Sequence, residues 1–318
     1  MRDAFVAALS ELARADDRVV FLTADLGFKI FDRFKLEFGA RFMDLGVAEA
    51  TMIGTAAGLA LGGMRPFVYS IAPFATLRCL EQIRDDLCYH SLPVTIVGVG
   101  GGYSYGHNGA THHALEDIAI MRALPNMTVV CPGDPVETAA AVRASLDLQG
   151  PMYLRLGRAG EPRVHASAEY FRIGEAITVL DGADCSIVAT GAILSVALEA
   201  ATILRAAGIG CRVLSMHTVK PLDTRALELS AADGRLLVTI EEHSSIGGLG
   251  GAVAEWLAAS RHASPLLSLN AGDSFAQSTG SQQFHRADRG LTAEQVSARI
   301  LAVLENSTPC CSRNPSQS

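Results

Sequence analysis

The chain has 318 residues, of which 49% are hydrophobic and 19% are charged. This composition predicts a large buried core and about two domains, and it excludes an intrinsically disordered chain. A net charge of -7 without any cluster of Lys and Arg excludes a nucleic-acid surface. The uncharged stretch 50–64 is too short to span a membrane and is interpreted as a fully buried helix.

Apolar periodicity predicts helices that alternate with strands. The predicted helices cover 3–15, 49–61, 76–88, 116–123, 135–146, 193–207, 249–259 and 292–304. The predicted strands cover 19–23, 66–69, 94–99, 128–131, 152–156, 185–190, 211–216, 236–240 and 266–269. Such alternation is typical of α/β proteins, and we expect two domains, each a doubly wound, mainly parallel sheet.

A change in composition near residues 157–172, which carry charges, Gly160 and Pro162 but no clear period, predicts a linker. We therefore place the first domain at 1–160, the linker at 161–172 and the second domain at 173–305. The polar residues 306–318 are expected to form a disordered tail.

The cysteines and the N-terminus both favour the cytoplasm. The 7 cysteines are scattered and form no CxxC pair or Cys/His spacing typical of zinc, which suits a reducing compartment. The first residues, Met1-Arg2-Asp3-Ala4, lack the apolar core of a signal peptide. We therefore expect a cytoplasmic protein.

Glu49 is the most informative residue, because it follows the short segment 41–45, whose Phe42, Met43 and Leu45 are apolar, and opens an Ala/Gly-rich helix. Burying a carboxylate at such a place costs free energy unless it gains a partner. One use for it is to hold a proton against a ring nitrogen in a dry pocket. A glutamate stabilised by the helix dipole is the structural alternative, and the local sequence leaves both open.

A glycine-rich loop at residues 100–117 follows the predicted strand 94–99 and carries His107, His112 and His113. Ligands of open parallel sheets bind beyond the carboxyl ends of the strands, and histidines supply donors and proton carriers near neutral pH. We predict no metal, because His112 and His113 are adjacent and no Cys or acid completes a familiar pattern. A structural glycine-rich turn capped by the histidines is the other alternative.

Several short motifs together resemble one enzyme family in their order and spacing. Four of them resemble the pyrimidine-binding domain of transketolases: Gly46-Val47-Ala48-Glu49, the loop 109–117 with Thr111-His112, the run 121–126, and Pro132-Gly133-Asp134. The C-terminal domain of the same family is similar to Glu241-Glu242-His243 with Gly247-Gly248-Leu249-Gly250. The resemblance covers roughly residues 1–305 and implies an enzyme that uses thiamine diphosphate.

The resemblance implies four cofactor contacts. Glu49 matches the catalytic glutamate that hydrogen-bonds the aminopyrimidine ring and so activates the cofactor, which acts as an electron sink. Leu26 matches the bulky wedge that holds the cofactor bent, with Asp25 close to it, although a strand-end turn would also explain Asp25. Phe74 matches the aromatic residue that stacks on the pyrimidine, with a core phenylalanine as the alternative.

Two further residues match substrate contacts of the family. His112 matches a catalytic histidine that contacts the hydroxyls or the carbonyl of the substrate. Arg158 matches an arginine that binds a sugar phosphate in some relatives, and an ordinary linker charge is its alternative.

The loop also departs from the family. Transketolases that take phosphorylated sugars often have His where Gly101 aligns and an acid where Asn108 aligns. Tyr103, Tyr105 and His107 occupy the loop instead, and we expect Tyr105 and His107 to contact the substrate. The acceptor is therefore expected to be an unusual sugar or aldehyde.

The family's diphosphate-binding motif, Gly-Asp-Gly followed by an Asn, is missing from this sequence. We therefore expect a companion subunit that carries this motif, holds Mg²⁺ and the diphosphate, and assembles as two copies of each chain. The small-residue face formed by Gly54, Gly58 and Gly62 would suit a close helix contact between subunits. Purified alone, the chain is expected to be inactive.

Two other functions stay open at this point. The smaller subunit of a 2-oxo acid dehydrogenase decarboxylase has the same two domains, but the Thr111-His112 loop favours a transketolase. A non-catalytic module that retains only the fold is the second alternative, and the presence of Glu49 and His112 argues against it.

Overall fold

The computed structural model describes residues 1–27 and 29–306, so almost all of the expected tail lies outside the described residues. The strands are β1 (Val19–Thr23), β2 (Phe42–Asp44), β3 (Arg65–Ile71), β4 (Thr95–Val99), β5 (Thr128–Val130), β6 (Met152–Leu156), β7 (Ile177–Leu180), β8 (Cys185–Ala189), β9 (Cys211–Ser215), β10 (Thr218–Lys220), β11 (Leu237–Ile240) and β12 (Leu266–Leu269). The helices are α1 (Arg2–Ala15), α2 (Asp32–Phe38), α3 (Glu49–Leu61), α4 (Ala72–Thr76), α5 (Leu80–Gln82), α6 (Asp117–Ala123), α7 (Pro135–Ala144), α8 (Leu194–Ala206), α9 (Thr224–Asp233), α10 (Leu249–Ser260), α11 (Gln282–Asp288) and α12 (Ala293–Asn306).

Within the described residues the strands form two sheets, and both are mainly parallel as predicted. The seven-stranded sheet has the order β10-β5-β6-β4-β3-β1-β2, in which β10 alone runs antiparallel to its neighbour. The five-stranded sheet has the order β12-β11-β8-β9-β7, with β7 antiparallel to β9. Strand β10 comes from the second part of the chain but pairs with β5, so it ties the two parts together.

Helices cover both faces of the first sheet. Along β1, Val20 and Leu22 point to one hydrophobic cluster, whereas Val19 and Phe21 point to another, because successive side chains of a strand face opposite sides. The first cluster includes side chains of α3 and α6, and the second includes side chains of α1 and α7. All five residues of β1 are buried, as expected for a central parallel strand.

Helix α3 corrects one expectation. Its side chains Met52 and Ile53 are fully buried against the sheet, but Gly54, Gly58 and Leu61 lie on an exposed face, and Leu61 is 71% exposed. The prediction of a fully buried helix is therefore wrong, because a helix that covers a sheet buries only the face that meets the strands.

The predicted helix 76–88 is also wrong as a single element. Pro73 lies in the first turn of α4, so the helix begins at Ala72 and ends at Thr76. After α5 the chain continues in a π-helical turn, Ile83–Cys88, that buries Ile83 and Leu87.

Residues 161–172 contain neither helix nor strand, apart from an isolated bridge between Arg172 and Glu175. The domain boundaries on either side of this segment stay a prediction. Among the described helices, each falls short of the length or apolar character that crossing a membrane requires.

The parallel arrangement places the predicted site residues at one edge of the first sheet. Strands β1, β2, β3, β4 and β6 all run in the same direction, so their carboxyl ends share this edge. After these strands come, in turn, Asp25 and Leu26, then Glu49, then Phe74, then the loop 100–117, and finally Arg158.

Candidate active site

Glu49 is the first residue of α3 and is only 2% exposed. The hydroxyl of Ser70, near the end of β3, donates to its Oε1 at 3.3 Å. Nη1 of Arg78 donates to its Oε2 at 2.6 Å. The carboxylate is therefore buried but has two hydrogen-bond partners, and one of them is the positively charged side chain of Arg78.

Arg78 connects Glu49 to two other predicted residues. Its guanidinium carbon lies 4.6 Å from the centroid of the Phe74 ring, and that ring meets the His112 ring edge-on with centroids 5.2 Å apart. The hydroxyl of Thr111 lies 3.1 Å from Nδ1 of His112. Glu49, Phe74 and His112 thus belong to one chain of contacts, although they come from three different segments.

Sequence reasoning missed Arg78. Its side chain is 47% exposed, which is unusual for the partner of a buried carboxylate. No local pattern identifies it, because α4 ends at Thr76 and Arg78 lies in the turn that follows.

Asp25 and Leu26 lie at the end of β1. Asp25 is exposed with a φ of 50°, and its N–H donates to Oδ1 of Asp44 at 2.9 Å, which joins the ends of β1 and β2. The carbonyl of Leu26 accepts from the hydroxyl of Thr23 at 3.0 Å, and its side chain packs on the aromatic cluster around Phe21. Both residues lie at the carboxyl edge of the sheet, and their cofactor roles stay predictions.

Tyr105, His107 and Arg158 form a second group. The guanidinium carbon of Arg158 lies 5.5 Å from the centroid of the Tyr105 ring. His107 and Arg158 line a cavity of about 260 Å³ together with Gln282 and Arg286 of α11. The C-terminal part of the chain therefore contributes to the wall of a cavity that two predicted substrate residues share.

The departure at Gly101 has a structural cause. A methyl group on Gly101 would lie 2.9 Å from Cζ of Arg155, a buried side chain. Arg155 donates to Oδ2 of Asp117 at 2.7 Å and to the carbonyls of Ala114 and Glu242 at 2.7 and 3.0 Å. A larger residue at position 101 would displace this arginine and the contacts it makes with both parts of the chain.

The motif Glu241-Glu242-His243 is part of the same contact between the two parts. Glu241 accepts the N–H groups of Leu249 and Gly250 at 2.7 Å each, so it caps the start of α10. Glu242 accepts from Gln282 at 2.9 Å and is paired with Arg286. These carboxylates have structural partners, which explains the motif without a catalytic role.

The three histidines of the loop have different surroundings. His113 is buried and its Nε2 lies 3.3 Å from the carbonyl of Gly106, whereas His107 is exposed and His112 is half-buried. Within residues 1–27 and 29–306, the group of His, Cys, Asp and Glu close enough to share an ion consists of Asp134, Glu137 and His165.

Those three residues have the geometry of a buried ion-pair network, which we call the linker triad. Nδ1 of His165 lies 3.2 Å from Asp134, and its Nε2 lies 3.3 Å from Glu137. Burial raises the pKa of Glu137 to about 7. Although burial alone would raise it, the hydrogen bonds from His165 and from backbone N–H groups lower the pKa of Asp134 to about 2. The triad joins the predicted linker to the first turn of α7.

Two family profiles match this chain. The profile described as transketolase, pyrimidine binding domain, matches residues 1–161. The profile described as transketolase, C-terminal domain, matches residues 174–296. The chain belongs to the transketolase family.

Its similar proteins include subunits of split enzymes. An apulose-4-phosphate transketolase subunit of Phocaeicola vulgatus is 42% identical over 258 residues, which cover 80% of this chain and 83% of that protein. The 6-deoxy-6-sulfo-D-fructose transketolase subunit SqwH of Clostridium sp. is 40% identical over 297 residues, covering 93% of this chain and 92% of that protein.

A solved structure described as a split gene transketolase in an inactive beta4 tetramer has the same fold. It superposes with a TM-score of 0.89 at 40% identity and covers 96% of this chain and 98% of that chain. The similarity to transketolase subunits therefore extends over nearly the whole sequence and its structure.

Proposed function

We propose that this chain is one subunit of a two-chain transketolase that depends on thiamine diphosphate. The complex transfers a two-carbon ketol unit from a ketose donor to an aldehyde or aldose acceptor. The observation that carries the proposal is the buried carboxylate of Glu49, whose charged partner is a half-exposed side chain that can be displaced. The names of the split relatives support the same function.

The residues around Glu49 suit the aminopyrimidine ring of the cofactor. A ring nitrogen can replace the guanidinium of Arg78 at Oε2, and the half-buried Phe74 ring offers a flat apolar face. When bound, the cofactor supplies the electron sink for breaking the bond beside a ketose carbonyl. Glu49 would share a proton with the ring nitrogen, and Asp25 and Leu26 would support the cofactor from the end of β1.

One histidine of this chain, His112, would act on the substrate. His112 lies beside Phe74 and is the proposed donor to the hydroxyls or the carbonyl of the substrate. Tyr105, His107 and Arg158 form the proposed recognition group. Arg158 suits an anionic substituent, and the two relatives are named for substrates that carry a phosphate or a sulfo group. An atypical acceptor is part of this proposal.

The proposed companion subunit carries Gly-Asp-Gly, Mg²⁺ and the diphosphate site, with two copies of each chain in the complex. The exposed face of α3, with Gly54, Gly58 and Leu61, is the proposed contact surface. The five described cysteines that are free and buried, Cys79, Cys88, Cys131, Cys185 and Cys211, suit the proposed cytoplasmic location.

Reconstitution tests the proposal. The chain is co-purified with a companion that carries Gly-Asp-Gly, and the complex is supplied with thiamine diphosphate, Mg²⁺, a panel of ketoses and a panel of aldehydes. Ketol transfer by the complex, with none by either chain alone, is the expected result. Turnover by this chain alone, or turnover only with 2-oxo acids as donors, would overturn the proposal.

A further inference from the structure

The loop that carries Tyr105 and His107 is anchored by the C-terminal part of the chain. The carbonyl of Gly106 lies 3.4 Å from Nε2 of His285 in α11 and 3.3 Å from Nε2 of His113. Because a carbonyl oxygen can only accept, both ring nitrogens carry a proton and donate it. Two histidine rings, one from α11 and one from the loop itself, therefore converge on one backbone oxygen.

The contact is buried and tightly packed. His285 is 1% exposed, and the Tyr103 ring stacks on it with centroids 4.9 Å apart and an interplanar angle of 14°. A methyl group on Gly106 would lie 2.5 Å from the carbonyl oxygen of Gly280 and 2.8 Å from Cδ2 of His285. Packing of this density leaves the turn at Gly106 little freedom.

Burial also keeps the second imidazole of this contact uncharged. Desolvation lowers the pKa of His113, so its ring is neutral at pH 7 beside His285. The two rings meet edge to face with centroids 4.9 Å apart. The anchor therefore includes the neutral donor His113 and contacts between aromatic rings.

We infer that His285 is a positioning residue, which holds Gly106 and thereby directs Tyr105 and His107 towards the substrate. The turn transmits the position directly, because the N–H of Asn108 donates to the carbonyl of Tyr105 at 2.8 Å across Gly106. The inference rests on the proposed function, since it takes Tyr105 and His107 as substrate contacts. It gives the C-terminal domain a part in substrate recognition.

Two variants and a control test this inference in the reconstituted complex. His285→Leu removes the donor, and His285→Gln keeps an amide N–H near the place of Nε2. His262→Leu is the control, because His262 is an exposed histidine of the same domain that stacks on Trp256. The substrate KM, kcat and the hydrogen exchange of the Asn108 and Gly109 amides are measured for each variant.

His285→Leu is expected to raise KM about tenfold and to speed exchange in the turn, because small displacements of positioning groups weaken binding. His285→Gln should recover most of both effects, and the control should change neither. Unchanged exchange in folded His285→Leu would overturn the anchor. Faster exchange with unchanged KM and kcat would overturn the link to substrate. If the wild-type complex shows no ketol transfer, the proposed function fails, and exchange alone decides whether His285 holds the loop.

Discussion

Two arginine–carboxylate pairs lie near the carboxyl edge of the first sheet, and they differ in how far their side chains are exposed to solvent. Arg155 and Asp117 are 2.7 Å apart, and their side chains are 5% and 1% exposed. Arg78 and Glu49 are 2.6 Å apart, but the arginine side chain is 47% exposed. The two pairs therefore have the same chemistry and similar N···O distances, but one is buried and the other is half exposed. We call Arg155–Asp117 the closed pair and Arg78–Glu49 the open pair.

The surroundings explain what each pair can do. Arg155 also donates to two carbonyls, and the hydroxyl of Tyr153 donates to Asp117 at 2.6 Å, so the closed pair has no place for a ligand. The guanidinium of Arg78 lies over the Phe74 ring, and because the side chain is half exposed it can move into solvent. This movement would leave Glu49 free for another partner. A buried carboxylate is thus a candidate for chemistry when its partner can leave.

Breaking the closed pair should have the largest effect. Arg155→Met leaves Asp117 buried without its cation, which typically costs about 3–5 kcal/mol. We expect a matching loss in the free energy of unfolding, measured by urea titration, or loss of folded protein. Arg143→Met is the control, because Arg143 and its partner Glu11 are both about half exposed, and it should cost less than about 1 kcal/mol. Equal losses in the two variants would show that the buried pair contributes no more to the free energy of unfolding than the exposed pair does.

Changing the open pair should affect activity and leave stability nearly intact. Glu49→Gln keeps the shape of the side chain but removes its capacity to take a proton. We expect ketol transfer by the reconstituted complex to fall by roughly 10²-fold or more. The unfolding free energy should change by less than about 1 kcal/mol, because an ion pair with an exposed partner contributes little.

Glu199→Gln, an exposed glutamate of α8, is the matched control and should retain full activity. Full activity of Glu49→Gln in the complex would refute the catalytic role of Glu49.

The sequence predicted the sheets and the edge on which the candidate residues lie. Alternating apolar segments predict parallel strands, and parallel strands bring their carboxyl ends together. The strands that sequence analysis missed, β2, β7 and β10, all lie at the edges of the sheets and contain residues that are not buried, so burial leaves a weaker pattern in them. β10 pairs with a strand almost ninety positions earlier, and only the tertiary structure specifies that contact.

At the site, the sequence indicated residue types but not their partners. Glu49 opens one small-residue helix and Glu241 precedes another, yet Glu49 pairs with Arg78 whereas Glu241 caps α10 by accepting two of its backbone N–H groups. The pairing with Arg78 spans 29 positions and crosses an irregular segment, so no local pattern reveals it. The roles of Asp25 and Leu26 stay predictions, because they depend on a cofactor and a second chain.

The linker triad extends the comparison to a third set of buried carboxylates. The pKa of Glu137, raised by burial from 4.5 to about 7, means that the folded chain keeps a proton that the unfolded chain loses. Its stability contribution is complete below about pH 4.5 and is lost as the pH rises through about 7. His165 acts in the same direction, because its two carboxylate neighbours raise its pKa although burial opposes this.

Burial lowers the pKa values of His113 and His217, so these two groups make the unfolding free energy rise with pH in the acid half of the range. Glu137 should add a downward slope of about 1–3 kcal/mol between about pH 4.5 and pH 8. Glu137→Gln should remove most of this slope, measured by urea titration across the range, and the exposed-residue variant Glu228→Gln should keep it. A pH dependence that is the same in Glu137→Gln and in the wild type would assign the downward slope to other groups.

The smallest effect is expected when the Arg78–Glu49 pair is broken by substituting the arginine. Arg78→Met keeps an apolar contact with Phe74 but removes the charge that competes with the cofactor for Glu49. Because such half-exposed pairs contribute about 0–1 kcal/mol, the unfolding free energy should fall by less than about 1 kcal/mol. Thiamine diphosphate should bind the reconstituted complex up to about fivefold more tightly, measured by calorimetric titration, since no ion pair has to break. Arg78→Lys, which keeps the charge, should stay close to the wild type. A loss of stability as large as that of Arg155→Met would show that the Arg78 pair is structural too. Weaker cofactor binding would show that Arg78 contacts the cofactor instead of competing with it for Glu49.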